Sequence, residues 1–227
     1  MNKFYTYPKA IQWAVTIFLL MICFVLLGFW MKYIIVSFLY YFTFPLLAPV
    51  FQFCFTPFFT LIGLYKYLSP MLLVYSPSEK EYDLHNGTGF DYFFVMRGVK
   101  KGLPTQNKIL EYYIEGVLKI IEEIEAGIIP PTITIKGTSY FFSESTARRL
   151  GFEIEPPTTF YKMNQYFNYI DLVWMYSRAK GRLAFPNMKN VKAVTIEGEK
   201  LMANREYLEK LYLYLKEKNT SAYEKQD

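Results

Sequence analysis

The residue types that could carry out chemistry are concentrated in residues 83–92, which read DLHNGTGFDY. His85 is the only histidine of the chain, and Asp91 follows it closely. A histidine oriented by a carboxylate can act as a general base, and Ser139 could then supply a nucleophilic hydroxyl. The G-x-S-x-G motif is absent, and Asp or Asn beside glycine is also usual in turns. His85, Asp91 and Ser139 are therefore the candidate catalytic residues, with a simple turn as the competing interpretation.

A second polar segment, Gly137-Thr138-Ser139, follows a predicted strand. Backbone N–H groups in such a turn could bind an anion where the next helix begins. The segment lacks the lysine and the glycine spacing of a P-loop, so a turn is the favoured interpretation. We expect no cofactor.

Charge and cysteine usage exclude several classes of function. Residues 1–75 contain four lysines and no acidic residue, whereas the rest of the chain has 21 basic and 20 acidic side chains. That near-neutral remainder lacks the one-sided basic surface that nucleic-acid binding needs. Cys23 and Cys54 both lie in the apolar segment, so a cysteine zinc site elsewhere is impossible. We expect no nucleic-acid partner and no metal.

The N-terminal segment, residues 1–75, is predicted to lie in a membrane. Residues 11–31 carry no charge and are long enough to cross a hydrocarbon core of roughly 30 Å. A second crossing is expected over 33–54. A cleaved signal peptide is the alternative, although the apolar run is long and ends without a small-residue cleavage site. The expected interface anchors are Lys9, Trp13, Trp30, Lys32 and Lys66.

Residues 55–75 are harder to interpret because Pro57, Pro70 and Lys66 interrupt them. We expect this stretch to lie in the membrane interface or to re-enter the bilayer, with a kinked ordinary helix as the alternative. Two crossings would place the N-terminus and the following domain on one side. The positive-inside rule then assigns that side to the cytoplasm.

The pattern changes at residue 76, where alternating elements and turns begin. We expect a mainly helical α+β or α/β domain over 76–218, with a small sheet, and a disordered tail over 219–227. The predicted strands are 90–96, 132–136 and 152–154, and the predicted helices are 105–125, 143–150, 160–180 and 204–218.

One stretch resembles a known family. The order strand, long helix, strand and short helix, ending in Ala147-Arg148-Arg149-Leu150-Gly151-Phe152, is similar to the core of the GNAT N-acetyltransferases over about 65 residues. Gly102-Leu103-Pro104-Thr105-Gln106-Asn107 replaces the glycine-rich pyrophosphate loop of that family. The resemblance implies an acyltransferase fold whose coenzyme A site is degenerate.

The predicted helix over 160–180 has large apolar side chains around most of its circumference, which is typical of a core helix or of a shared surface. Phe167, Ile170 and Trp174 are the candidate partner surface. We therefore expect a membrane-anchored, non-enzymatic subunit or accessory protein that contacts the bilayer and other membrane subunits. The alternatives are an enzyme at the membrane face, such as a degenerate GNAT-like acyltransferase, and a pore-forming effector.

Overall fold

The computed structural model describes residues 2–139, 144–156, 158–188 and 192–224, which are mostly helical with one small mixed sheet. The expected class, with helices dominant over a small sheet, is confirmed. The helices are α1 (Lys9–Val36), α2 (Phe44–Leu61), α3 (Gly89–Val95), α4 (Leu103–Glu125), α5 (Glu144–Arg149), α6 (Thr159–Phe167), α7 (Tyr169–Lys180), α8 (Gly198–Ala203) and α9 (Arg205–Glu224). The strands are β1 (Tyr65–Ser69), β2 (Leu72–Tyr75), β3 (Glu81–Asn86), β4 (Thr134–Ser139), β5 (Glu153–Glu155) and β6 (Lys192–Glu197).

Helices α1 and α2 form an antiparallel hairpin joined by a short 3₁₀ helix, Phe38–Thr43. Lys9–Val36 and Phe38–Leu61 are each long and apolar enough to span a membrane, judged by length and composition. Most of their large apolar side chains face outward. The indole N–H of Trp30 closes the far end of the hairpin by donating to Thr43 Oγ1 at 3.0 Å. The expected spans, 11–31 and 33–54, fall within this hairpin.

The sheet has the strand order β1-β2-β3-β4-β6-β5, in which β3 and β4 are parallel and the other neighbours are antiparallel. Helix α4 covers one face with the buried side chains of its apolar stripe, among them Ile109, Ile114 and Ile120. The helix predicted over 105–125 is thus confirmed. Because β3 and β4 are parallel, both strands end at the same edge of the sheet. Helices α3 and α4 form the connection between them.

The sheet begins earlier in the chain than the sequence indicates. Residues 65–75, expected at the membrane interface, form the hairpin of β1 and β2, in which Leu73 and Val74 are fully buried. A strand buried on both faces is apolar without alternation, so its composition resembles that of a membrane segment. The folded domain therefore starts at about Tyr65 and not at residue 76.

Lys66, expected to be an interface anchor, belongs instead to the sheet. Its ammonium group lies 2.7 Å from Glu123 Oε2 and donates to the hydroxyl of Tyr82 at 2.6 Å. Tyr82 also donates to the same carboxylate oxygen, at 3.1 Å. The Lys66 ammonium group therefore has two partners within the folded domain.

The predicted strand over 90–96 is the helix α3. Thr88 and Asp91 form a capping box, in which each side chain accepts a hydrogen bond from the backbone N–H of the other residue. This arrangement satisfies two free N–H groups and starts a helix despite the strand-like composition FDYFFV. The GNAT-like element order therefore fails at its first element.

Two other segments differ from expectation. The predicted helix over 160–180 is divided at Asn168, whose side chain donates back to the Asn164 carbonyl at 2.9 Å. The resulting α6–α7 elbow, residues 159–180, bends around the hairpin. Helix α9 continues to Glu224, through most of the expected tail over 219–227, because Asn219 is buried and donates to the carboxylate of Glu111.

The buried pair predicts a stability effect. Replacing Lys66 by Met leaves the carboxylate of Glu123 with one donor in a buried site, so the free energy of unfolding should fall by about 1–3 kcal/mol. Lys136→Met is the matched control, because the Lys136–Glu81 pair is exposed. This variant should lower the free energy of unfolding by less than about 1 kcal/mol. Chemical unfolding in detergent measures both. Equal decreases in the free energy of unfolding of the two variants would show that burial of the Glu123 carboxylate does not depend on its pairing with Lys66.

Candidate functional site

The parallel strands β3 and β4 end beside a cavity of about 80 Å³. His85, Asn86 and Thr88 line it from the β3 side, and Thr138 lines it from β4. In sheets with parallel strands, ligands commonly bind in the crevice outside the carboxyl ends of those strands. The two polar segments that the sequence presents separately therefore meet at one place, where the topology favours binding.

The ring of His85 is fixed by stacking and by one carboxylate. It lies against the Tyr75 ring with centroids 3.6 Å apart, and Tyr75 stacks in turn on Tyr65 at 4.4 Å. Nε2 of His85 is 3.0 Å from Asp83 Oδ2, while the Tyr161 hydroxyl donates to Asp83 Oδ1 at 3.0 Å. This chain of contacts gives the imidazole one orientation at the cavity wall.

The opposite wall comes from the elbow and from the apolar hairpin of α1 and α2. Asn164, Gln165, Asn168 and Asp171 line it from α6 and α7, and Gln52 reaches it from α2. Asp171 and Gln165 are each only 7% exposed. Asp171 Oδ2 and Gln165 Nε2 nevertheless have no hydrogen-bond partner within the described part of the chain. Burial raises the pKa of Asp171 to about 6.

Charge at the cavity is sparse. No lysine or arginine is among its described lining residues, and Asp171 is their one acidic side chain. The described residues also contain no group of three or more metal-ligating side chains. The polar part of the wall is therefore mostly amide and hydroxyl, which suits hydrogen bonding to an uncharged polar group.

Asp91 lies apart from this cavity. It is completely buried and accepts hydrogen bonds from Asn2 Nδ2 at 3.1 Å, Tyr67 OH at 2.8 Å and Thr88 N–H at 2.9 Å. Burial raises its pKa to about 6, against the lowering effect of these donors. The carboxylate that contacts His85 is that of Asp83 and not that of the predicted Asp91. Asp91 instead connects the N-terminal residues, β1 and the start of α3 through hydrogen bonds.

The other catalytic candidate is only partly described. Ser139 is the last residue of β4, paired with Lys192 of β6, and its side chain lies outside the described part of the structure. Its neighbour Thr138 supplies a β4 residue at the cavity.

The predicted interface anchors lie along α1. Lys9 begins the helix and donates to Gln12 at 3.4 Å, and Trp13 is partly exposed beside it. Trp30 and the exposed Lys32 lie near the far end. About 35 Å of helix separates the two lysines at 1.5 Å per residue.

The predicted partner surface is partly used within the chain. The Phe167 ring packs edge-on against Phe44 of α2 at 5.5 Å, and Trp174 lies 5.5 Å from the Tyr92 ring. Ile170, between them, is exposed. The elbow therefore holds α2 on one side and still presents apolar side chains on the other.

Sequence reasoning missed the cavity residues outside the two polar segments, among them Gln52, Gln165 and Asp171. The available signal was the position of isolated polar residues in apolar stretches. Gln52 is flanked by phenylalanines, and Asp171 is the only acid between residues 160 and 180. Such residues are costly to bury unless something pairs with them.

Comparison with known proteins adds no relative, because no family model matches the chain and no curated protein or solved structure is significantly similar to it.

The raised pKa of Asp171 predicts a dependence on pH. At about pH 7.5 the buried carboxylate is charged, so Asp171→Asn should raise the free energy of unfolding by up to about 3 kcal/mol. As the pH falls through about 6, the folded wild type takes up a proton that the unfolded chain binds only near 4, and the advantage of the variant shrinks. Thermal unfolding at about pH 7.5 and about pH 4.5 tests this. Destabilisation at pH 7.5 would mean that the carboxylate has a partner inside the protein.

Proposed function

We propose that this protein is a membrane-anchored, non-enzymatic accessory subunit whose hairpin inserts in the bilayer and packs against helices of a larger complex. The observation that carries the proposal is the outward-facing apolar surface of α1 and α2, which continues onto the α6–α7 elbow. Soluble proteins seldom expose so large a continuous apolar surface.

The depth of insertion follows from where the folded domain touches the hairpin. Phe24 packs edge-on against Phe55 at 6.3 Å, and the adjacent Thr56 donates to Thr88 of the folded domain at 3.0 Å. From Phe24 to Val36 the hairpin extends only about 18 Å, against a hydrocarbon core of roughly 30 Å. This length favours insertion from one side over two complete crossings.

The tip of the hairpin supports the same geometry. Ile35 is 82% exposed, Val36 is 76% exposed and Phe42 is 75% exposed. Lys32 is the one charged residue between Lys9 and Lys66, and the length of its side chain lets the ammonium group reach towards the headgroups. A tip that emerged into water would expose these side chains at a cost of about 25 cal/mol per Å². The elbow, which reaches Phe44 through Phe167, would then lie at the membrane surface.

Cysteine labelling distinguishes one-sided insertion from two crossings. Leu39→Cys places a thiol at the tip, and Glu79→Cys places one in the folded domain, while native Cys23 and Cys54 are buried. In sealed vesicles we expect an impermeable maleimide to label Glu79→Cys from the cytoplasmic side, and Leu39→Cys from neither side until detergent is added. Labelling of Leu39→Cys from the opposite side would establish two crossings and overturn one-sided insertion.

The accessory role predicts stoichiometric companions. The native size of the tagged protein in mild detergent, with mass spectrometry of what accompanies it, should reveal them. Tyr166→Glu in the elbow should reduce their recovery roughly tenfold, equivalent to about 1.4 kcal/mol of binding free energy. Tyr214→Glu is the matched control, because Tyr166 is 65% exposed and Tyr214 in α9 is 57% exposed. A solitary monomer would contradict the proposal.

A second candidate is an enzyme at the membrane face. The observation in its favour is that His85, paired with Asp83, lines the same cavity as the buried carboxylate of Asp171. Perturbed carboxyl groups beside a histidine in a cleft are common in active sites.

A further inference from the structure

The cavity at the ends of β3 and β4 has the features of a binding site. It lies between the folded domain and α2, and three of its polar side chains, Thr88, Gln165 and Asp171, are more than nine-tenths buried. Asp171 Oδ2 lacks a hydrogen-bond donor, and Gln165 Nε2 lacks an acceptor, among the described residues. Buried polar atoms in native proteins are nearly always paired, so an unpaired donor and an unpaired acceptor in one cavity point to a ligand.

We infer that this cavity binds an uncharged, hydroxyl-rich small molecule, namely a sugar or a polyol. A hydroxyl both donates and accepts, so one class of group satisfies the acceptor Asp171 and the donor Gln165 together. The amides of Gln52, Asn164 and Asn168 offer further donors and acceptors at the same wall. A hydroxyl also satisfies Gln165 in either orientation of its amide.

Charged ligands fit less well. An anion would meet the carboxylate of Asp171 without any lysine or arginine among the described lining residues. An ammonium group would pair with Asp171, yet it could bind Gln165 only if the amide turned its oxygen towards the cavity, whereas a hydroxyl fits either orientation. The size also agrees, since a cavity of about 80 Å³ holds roughly five waters or the hydroxyls that replace them.

Two sources can supply this chemistry. One is a free sugar or polyol, and the other is the neutral headgroup of a glycolipid. Gln52 lies in the hairpin helix α2 and also lines the cavity, so a headgroup could enter beside the hairpin. The shared requirement is a set of uncharged hydroxyl groups, and the two sources are separated by experiment.

Binding is measured on the full-length protein in a detergent without a sugar headgroup. Isothermal titration uses methyl glucoside, methyl galactoside and myo-inositol as free probes. Phosphatidylcholine nanodiscs with and without monoglucosyl diacylglycerol form the lipid arm. Saturable binding in the free arm identifies a soluble ligand, and a thermal shift in the lipid arm alone identifies a headgroup. Ethanolamine and inorganic phosphate test the charged alternatives.

Three variants locate the site. Gln165→Leu removes a buried partner of the ligand, and Asp171→Asn replaces a charged acceptor by a weaker amide acceptor, so each should weaken binding about tenfold or more. Tyr92→Phe is the control: its hydroxyl is buried without a described partner, but it does not line the cavity. It should bind as the wild type does.

Four results would overturn the inference. The first is that no neutral probe binds in either arm, and the second is that ethanolamine or phosphate binds instead. The third is an unchanged affinity in both Asp171→Asn and Gln165→Leu. The fourth is a loss of affinity in Tyr92→Phe equal to the loss in those two variants. The last result would indicate that Asp171 pairs with Tyr92 inside the protein. Sugar binding and recovery of companion proteins are separate readouts, so this site and the accessory role can each fail alone.

Discussion

The buried carboxylate of Asp91 is the interaction on which the arrangement of the protein depends. It binds Asn2 ahead of α1, Tyr67 in β1 and Thr88 at the start of α3. Thr88 is also bound by Thr56 of α2. One carboxylate thus connects both ends of the apolar hairpin to the sheet and to the first crossover helix. Removing it would leave several buried donors unpaired at once, which is more costly than the loss of a single hydrogen bond.

This connection determines where the cavity lies. Because α2 is held against Thr88, its residue Gln52 comes beside the ends of β3 and β4, and the elbow packs along the same helix through Phe167. The cavity therefore has one wall in the sheet, one in the elbow and a contribution from the apolar hairpin. A ligand there would touch all three parts, so its binding and the position of the hairpin would be energetically coupled.

Local patterns predicted some elements and not others. The apolar stripe of α4, with Ile109, Ile120 and Ile124 on one face, is sufficient to predict a buried helix. Residues 90–96 have the composition of a strand, but the capping box at Thr88 starts a helix there. Hydrophobic periodicity does not reveal such hydrogen bonds to the backbone. The β1–β2 hairpin resembled membrane sequence because strands buried on both faces lose their alternation. Each difference arises where tertiary burial or a cap outweighs composition.

By itself the sequence determined the apolar hairpin, the dominance of helices and the lack of cysteine or histidine for a zinc site, because these depend on residue type and local spacing. It also marked His85 and Thr138 as lying in polar turns. Only the tertiary structure decided that these two residues lie near the ends of the adjacent strands β3 and β4 and not in turns, that Asp83 and not Asp91 orients His85, and that Asp171, Gln165 and Gln52 complete the cavity. The physical reason is that local patterns specify which side chains become buried, whereas the parallel pairing of β3 with β4 and the packing of the elbow on α2 decide which distant segments share that burial.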